Sequence, residues 1–304
     1  MDMKFPDAEP IACADEAAWL SVRRSFIGAS ETPTILGCGY AGQSPMSVWN
    51  GKVGEAKDEV DAPLKFRIGK RKEPLIRELF TEDTGLPCEA PSAMAYRSIR
   101  HPFLGCSLDG ETVDPEHGLS PVELKNVGSH ARSEWESEPP LKYNIQAQSQ
   151  MLVTGAKVCY LVGLIADEEL IVRRILRDND FLAAFVVPLR QFWDCVETRT
   201  LPPIDASEAT ARALSLAYPR DSGATIVLPA EATEWVEKME LAKAREKEVK
   251  AEATAASNLL KAALGENSIG QLPDGRCVTW KTQNRGAYQV EASTTRVLRI
   301  TKGK

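Results

Sequence analysis

The spacing of apolar and polar residues changes character several times along the chain. After a polar, acidic lead, Asp15 precedes Glu16-Ala17-Ala18-Trp19-Leu20, which predicts a helix capped by the Asp15 carboxylate. Gly28-Ala29-Ser30-Glu31 opens a second helix with Ser30 at its N-cap or first turn, and residues 45–51 form a short third one stopped by glycine. A charged, solvated stretch covers residues 52–65. Leu75, Ile76, Leu79 and Phe80 then share one face of a helix predicted over 69–84, with Gly85 where a C-cap belongs. Strand-like segments follow at 93–99, 104–113 and 121–127, the last two separated by the turn-formers Asp114-Pro115-Glu116-His117-Gly118. A helix over 140–154 leads to a strand pair, 157–165 and 169–176, joined across Ala166-Asp167-Glu168, and a last helix spans 179–199. This order predicts an α/β fold, a mixed central sheet flanked by helices.

The remainder differs. Residues 230–264 are rich in Ala, Glu and Lys, with Trp235, Ala242, Val249, Ala256 and Ala263 at heptad spacing. Such a weak seam favours packing on its own domain over a free coiled coil. Gly265 ends the helix, and Pro273-Asp274-Gly275 turns a basic β-hairpin carrying Trp280 and Tyr288. We therefore expect a core domain over 1–218, a linker over 219–229 and a C-terminal extension over 230–304 made of a long helix and a small β element.

Charge follows the same division. The whole chain of 304 residues carries −6, but residues 1–230 carry −9 and residues 231–304 carry +3. Arg276 to Lys304 holds seven basic residues and one acid, Glu291. The net charge by itself argues against nucleic acid as a partner, although it averages over faces. No stretch approaches the ~18 apolar residues of a membrane span. The first residues show no basic region followed by an apolar run, which reads as a cytoplasmic protein. Seven dispersed cysteines without a CxxC read as reduced thiols, and three histidines are too few and too scattered for a multi-histidine zinc site. His101, before Pro102, reads as a turn residue. Gly69-Lys70 is no phosphate loop, and no Walker segment is present.

The sharpest chemical feature is Asp109 followed after thirteen residues by Glu123-Leu124-Lys125. On a strand Glu123 and Lys125 point the same way while Leu124 faces the core. A hairpin brings Asp109 alongside Glu123. Two close carboxylates repel and suit a hard divalent cation such as Mg²⁺. Lys125 beside them can orient or help deprotonate a water and stabilise charge on a phosphate, as phosphodiester hydrolysis requires. The competing reading is a surface carboxylate with a cross-strand lysine.

Four motifs in order tip the balance: Trp19-x₃-Arg23-Arg24-x₂-Ile27-Gly28-Ala29-Ser30-Glu31, Gly69-x₃-Glu73, Asp109 with Glu123-x-Lys125, and Gln146-x-Gln148. Together they resemble the PD-(D/E)xK nuclease superfamily, and within it the lambda-exonuclease and YqaJ-like viral recombinase family. Leu108 stands where the superfamily usually has proline. The resemblance implies a restriction-endonuclease-like core. It makes Asp109, Glu123 and the Leu124 carbonyl metal ligands, Lys125 the catalytic lysine, and Glu73 a ligand of a second metal directly or through water. It sets Gln148 beside the site, with Gln146 near it, and gives Arg23 and Ser30, with Arg24 adjacent, to a pocket for the 5′-phosphate of a DNA end. A guanidinium and a hydroxyl suit a phosphate on physical grounds too.

What the resemblance implies in function is a Mg²⁺-dependent exonuclease, with Mn²⁺ as a substitute and two ions bound. It would digest linear double-stranded DNA from 5′ to 3′ and leave 3′ overhangs for phage-type recombination, in a bacterial host. It also implies a homotrimeric ring and a single-strand annealing protein as partner. Only Cys195 and Cys277 follow the core, so no iron–sulfur cluster is expected. An endonuclease on the same core and a non-catalytic DNA-binding module working through the basic tail are the rival readings.

Overall fold

The computed structural model describes residues 4–54, 64–284, 286, 298 and 300. Tyr288 and the basic residues 285, 296, 299, 302 and 304 lie outside the described residues. The chain divides into two compact units, residues 1–217 and 218–304.

In the first unit, α1 (Glu16–Arg23) starts as the sequence dictates, with the Asp15 carboxylate accepting the Ala18 N–H at 2.8 Å. The next segment departs from expectation. Ile27–Gly28 form a short strand, β2, and the single-turn helix α2 begins only at Thr32, so Ser30 lies in the turn before it. Helix α3 (Pro45–Val53) runs through Gly51 and stops at Gly54. Helix α4 (Leu64–Thr84) begins five residues ahead of the predicted start, carries Pro74 inside it, and ends at Gly85 with φ 72°. Ile76 and Phe80 are buried, whereas Leu75, expected on that face, is exposed.

Two sheets form the centre. The smaller has the order β1–β4–β5–β2, with β1 (Ala8–Ile11), β4 (Ala95–Ser98) and β5 (Leu104–Cys106). The larger has the order β3–β6–β7–β8–β9, from β3 (Cys88–Glu89), β6 (Gly110–Asp114), β7 (Gly118–Val127), β8 (Val158–Ile165) and β9 (Glu169–Leu176). The apolar run 104–113 is thus two strands in two sheets, and Asp109 sits where the chain passes between them. Only the β7–β8 pairing is parallel in the larger sheet, and α5 (Leu141–Thr154) makes the crossover.

Every residue of β8 is buried, as a strand covered on both faces must be. Val158, Tyr160, Val162 and Leu164 join Ile76 and Phe80 of α4, together with Val122 and Leu124. Cys159, Leu161 and Ile165 face the larger cluster containing Ile145, Met151 and Leu152 of α5. Gly163 shares this second face, where a Cβ would meet Trp135 at 2.7 Å. The helices α6 (Asn179–Glu197) and α7 (Glu208–Ala217), the latter not foreseen from the sequence, add Phe185, Leu189 and Ala213 to the same cluster.

The β6–β7 turn is held by charge. The buried Asp114 carboxylate accepts from Arg174 at 2.8 and 3.1 Å, from the Tyr160 hydroxyl at 2.7 Å, and from the N–H groups of Glu116 and His117. The second unit is the 33-residue α8 (Ala232–Leu264) and a two-stranded hairpin, β10 (Ile269–Gln271) with β11 (Cys277–Thr279). Most of the α8 side chains are exposed.

Arg174 and the other donors hold the Asp114 carboxyl well below the usual carboxylate range. A depressed pKa in the folded state gives stability that is present above the unfolded value, about 4, and is lost as the pH falls below it. Asp114→Asn is therefore expected to lower the urea midpoint at pH 7 and to narrow the difference from wild type between pH 4 and pH 2.

Candidate active site

The larger sheet is incomplete beside Asp109. Strand β6 pairs with β7 only from Gly110, opposite Val122, so β7 from Glu123 onward has no β6 partner. The Asp109 side chain fills the gap, its Oδ2 accepting the Leu124 N–H at 2.9 Å. The N–H and C=O of one strand residue point to the same side, so the Leu124 carbonyl also faces this gap. Arg77 of α4 donates to the Asp109 carbonyl at 2.7 Å and fixes the backbone there.

Glu123 and Lys125 project from β7 toward α5. Glu123 is 2% exposed, and its Oε1 lies 2.5 Å from Lys125 Nζ. Gln146 Nε2 donates to the same oxygen at 2.7 Å, and Gln150 Nε2 donates to Oε2. Gln146 completes a small ring, since its Oε1 accepts from Lys125 at 3.1 Å and lies 3.5 Å from the Tyr40 hydroxyl. The Gln150 side-chain carbonyl oxygen is 3.4 Å from the Cys159 thiol. Lys125 Nζ also sits 4.9 Å from the centre of the Tyr143 ring, which packs on Trp135.

The electrostatics follow from this crowding. Burial pushes the Asp109 carboxyl well above its usual value, and the charge of Glu123 adds to the rise. Burial opposes the charge on Lys125, but Glu123, Tyr40 and Asp109 outweigh it and hold the ammonium above the ordinary lysine range. Glu73 on α4 is raised by burial and by Glu123, against Arg77, Lys70 and Lys125. The Tyr40 hydroxyl is pushed up to about 12 by burial.

Gln148 goes elsewhere. Its amide donates to the Leu176 carbonyl at 2.8 Å and accepts from the Asp178 N–H at 3.0 Å, joining β9 to the start of α6. A helix advances about 100° per residue, so side chains two apart face opposite ways while those four apart align. Gln146 therefore pairs with Gln150 at the site, and Gln148 is turned from it. The sequence motifs do not single out Gln150, Tyr40, Tyr143 or Arg77 for the site; the i, i+4 repeat is the available signal for Gln150.

The other expected cluster gathers around Gly28. Arg23 NH2 lies 3.5 Å from Ser30 Oγ, and its guanidinium stacks on the Trp19 ring at 4.8 Å. Trp19 Nε1 donates to Ser107 Oγ at 2.9 Å, two residues before Asp109, which links this pocket to the carboxylates. Arg24 follows at the end of α1.

The Asp109 and Glu123 carboxylates, whose charges act on one another, and the Leu124 carbonyl form a set of hard oxygen donors. Burial is the main cause of the rise at Asp109, and the charge of Glu123 adds to it. Asp109, Glu123 and Leu124 therefore fit a divalent cation, with Glu73 near enough to raise its own proton affinity against Glu123. A second acidic group, Asp114, Glu116 and His117, has ligand atoms within 4.8 Å of one another. There the Asp114 carboxylate is already saturated by Arg174 and Tyr160, which makes the group a structural ion pair.

The larger sheet is mixed, with Asp109 just ahead of β6 and Glu123-x-Lys125 on the neighbouring β7. Residues 18–157 match the YqaJ-like viral recombinase domain. Among solved structures the chain is similar to the alkaline exonuclease LHK-Exo of Laribacter hongkongensis in complex with dAMP. Identity is 20% and the TM-score 0.49, over 60% of this chain and 93% of that one. It is also similar to a phage-related exonuclease of Haemophilus somnus 129PT, at 11% identity and a TM-score of 0.43, over 60% and 99% of the two chains. No curated protein sequence matches it.

Gln150→Leu leaves Glu123 Oε2 buried without that donor and is expected to cost about 1–3 kcal/mol. Combining it with Glu123→Leu, which removes the acceptor, is expected to cost less than the sum of the two single changes, as measured by urea unfolding.

Proposed function

We propose that this chain is a metal-dependent DNA exonuclease acting on ends of linear duplex, as the YqaJ-like domain supports. The observation that carries the reading is the convergence of Asp109, Glu123 and Lys125 at the gap in the larger sheet. Asp109, Glu123 and the Leu124 carbonyl are the residues to hold a divalent ion, Mg²⁺ with Mn²⁺ as substitute, and Glu73 is the candidate for a second. When bound, such ions supply Lewis-acid polarisation of a phosphodiester oxygen and lower the pKa of a water.

The chain's own groups do the rest. Gln146 and Gln150 fix both oxygens of Glu123, so the carboxylate is already oriented before substrate arrives. Lys125 is kept as an ammonium by its ion pair with Glu123 and stabilises charge that develops on the phosphate. Gln146 restrains Lys125 and Glu123 together. Gln148, bound to Leu176 and Asp178, serves as a brace for the α5–β9 junction in this reading.

Arg23 and Ser30 offer a guanidinium and a hydroxyl to a terminal 5′-phosphate, with Arg24 alongside. A 5′-phosphate held there, linked through Trp19 and Ser107 to the carboxylates, favours digestion from 5′ to 3′ and release of 3′ overhangs for phage-type recombination. The resemblance further supports a homotrimeric ring, an annealing protein that takes up the overhang, and action inside a bacterial host cell. Among the described residues no helix is long and apolar enough to cross a membrane. The domain division at about residue 218 leaves the helix and hairpin as a separate extension.

Lys125→Ala is expected to lower the turnover of end-labelled linear duplex by at least about 10²-fold, the scale of losing one charge-stabilising donor, while duplex binding persists. Full turnover in that variant overturns the assignment. Closed circular duplex is expected to remain intact; nicking or linearisation of it by the wild type would favour an endonuclease. Arg23→Ala is expected to raise KM for 5′-phosphorylated ends more than for 5′-hydroxyl ends, as steady-state digestion of the two substrates reads out.

A further inference from the structure

Lys52 is a buried cation with no part in the site so far. It projects from α3 with its side chain only 3% exposed, and its Nζ lies 2.7 Å from Glu31 Oε2. The same ammonium donates to the Arg23 carbonyl at 2.7 Å. Glu31 Oε2 in turn accepts the Gly28 N–H at 2.6 Å. The Lys52 ammonium therefore ties the Arg23 carbonyl to Glu31, beside Ser30, and the same Glu31 oxygen holds the Gly28 N–H.

The helix that delivers Lys52 is firmly anchored. Its N-terminus has a reciprocal cap between Ser44 and Ser47, and Met46 is fully buried. Trp49 Nε1 donates to the Cys195 carbonyl at 3.1 Å, and Asn50 donates to the Ala213 carbonyl at 2.9 Å. Burying an ammonium is unfavourable unless it is well paired, so an alkyl side chain here would be the easier way to fill space. Burial lowers the proton affinity of Lys52 and the charge of Glu31 opposes this, while Arg23 adds repulsion.

The positions of Glu31 and Arg23 give the pairing a purpose. Both side chains crowd over the α-carbon of Gly28. A Cβ built there would meet Glu31 Oε2 at 3.3 Å and Arg23 NH2 at 3.8 Å. Glu31 is thus an internal anion on the same side of Gly28 as the Arg23 guanidinium, whose own contacts are Ser30 Oγ and the Trp19 ring. We infer that Lys52 is a positioning residue for the end-binding pocket: it neutralises Glu31, so that the Arg23 guanidinium stays available to the 5′-phosphate of a DNA end. Glu31 is retained because it fixes the Gly28 backbone, and Lys52 makes that fixation compatible with anion binding. The inference rests on the reading of Arg23 and Ser30 as a phosphate pocket.

The test is steady-state digestion with Mg²⁺ by the full chain, on two linear duplexes that differ only in a 5′-phosphate or a 5′-hydroxyl. The quantity read is the ratio of the two KM values. Lys52→Met is expected to raise KM for the phosphorylated duplex about tenfold and to bring the ratio toward one, with kcat changed by less than threefold. Adding Glu31→Gln, which removes the competing charge, is expected to restore the preference. A purely structural role for Lys52 predicts no such rescue. Should Lys52→Met alone not fold, the double variant decides: it keeps the preference if the inference holds and loses it otherwise. A wild-type ratio of one, or a ratio unmoved by Arg23→Ala, overturns the pocket and this inference together. A ratio abolished by Arg23→Ala but intact in Lys52→Met overturns the inference alone.

Discussion

The fold is arranged around one costly arrangement, the burial of the Glu123 carboxylate between a sheet and a helix. A buried charge is tolerated only when its oxygens find donors, and three side chains supply them here: Lys125, Gln146 and Gln150. That requirement fixes the rotation of α5 about its axis, because Gln146 and Gln150, four apart on one face, must both reach β7. It constrains β7 as well, because Lys125 must turn back onto Glu123 while remaining over the Tyr143 ring. The neighbouring Trp135 needs the bare face of Gly163, directly across the parallel ladder from Lys125. Packing and chemistry thus draw on the same few residues.

Much of this is legible in the sequence. The Asp15 cap, the Gly85 stop and the strand pair across Ala166-Asp167-Glu168 are local devices, set by backbone preferences of the residues at those points. The alternation of Glu123, Leu124 and Lys125 follows from the period of a strand alone. What the sequence hides needs a third dimension. The run from Leu104 to Val113 is read as one strand, and the Asp109-Gly110 pair within it does not say that Cys106 and Gly110 belong to different sheets. Gln148 forms a motif with Gln146 and is expected at the site, yet the helical period sends the two in opposite directions. Leu75 has the spacing of a core position and is exposed, since only the Ile76–Phe80 ridge of α4 meets the sheet.

The net charge also reads differently once the residues have places. Asp109 and Glu73 both feel the charge of Glu123, and Asp114 is paired with Arg174. The −6 is therefore a poor guide to what the surface offers a polyanion. Local pairing decides it, as the Glu31–Lys52 pair beside Arg23 illustrates on the scale of a single pocket.

The point at which β6 begins has a further consequence. Between Val122 and Leu124 the sheet exchanges a neighbouring strand for one side chain, so a β6 partner and the Asp109 carboxylate are alternatives for the same backbone N–H. A relative of this chain whose β6 paired two residues further would gain ladder hydrogen bonds and a more regular sheet. It would also seal the opening into which the Leu124 carbonyl faces. Regularity of the sheet and an open Leu124 carbonyl are in this sense opposed, and the chain keeps the opening by leaving the β6 side of β7 unpaired from Glu123 onward.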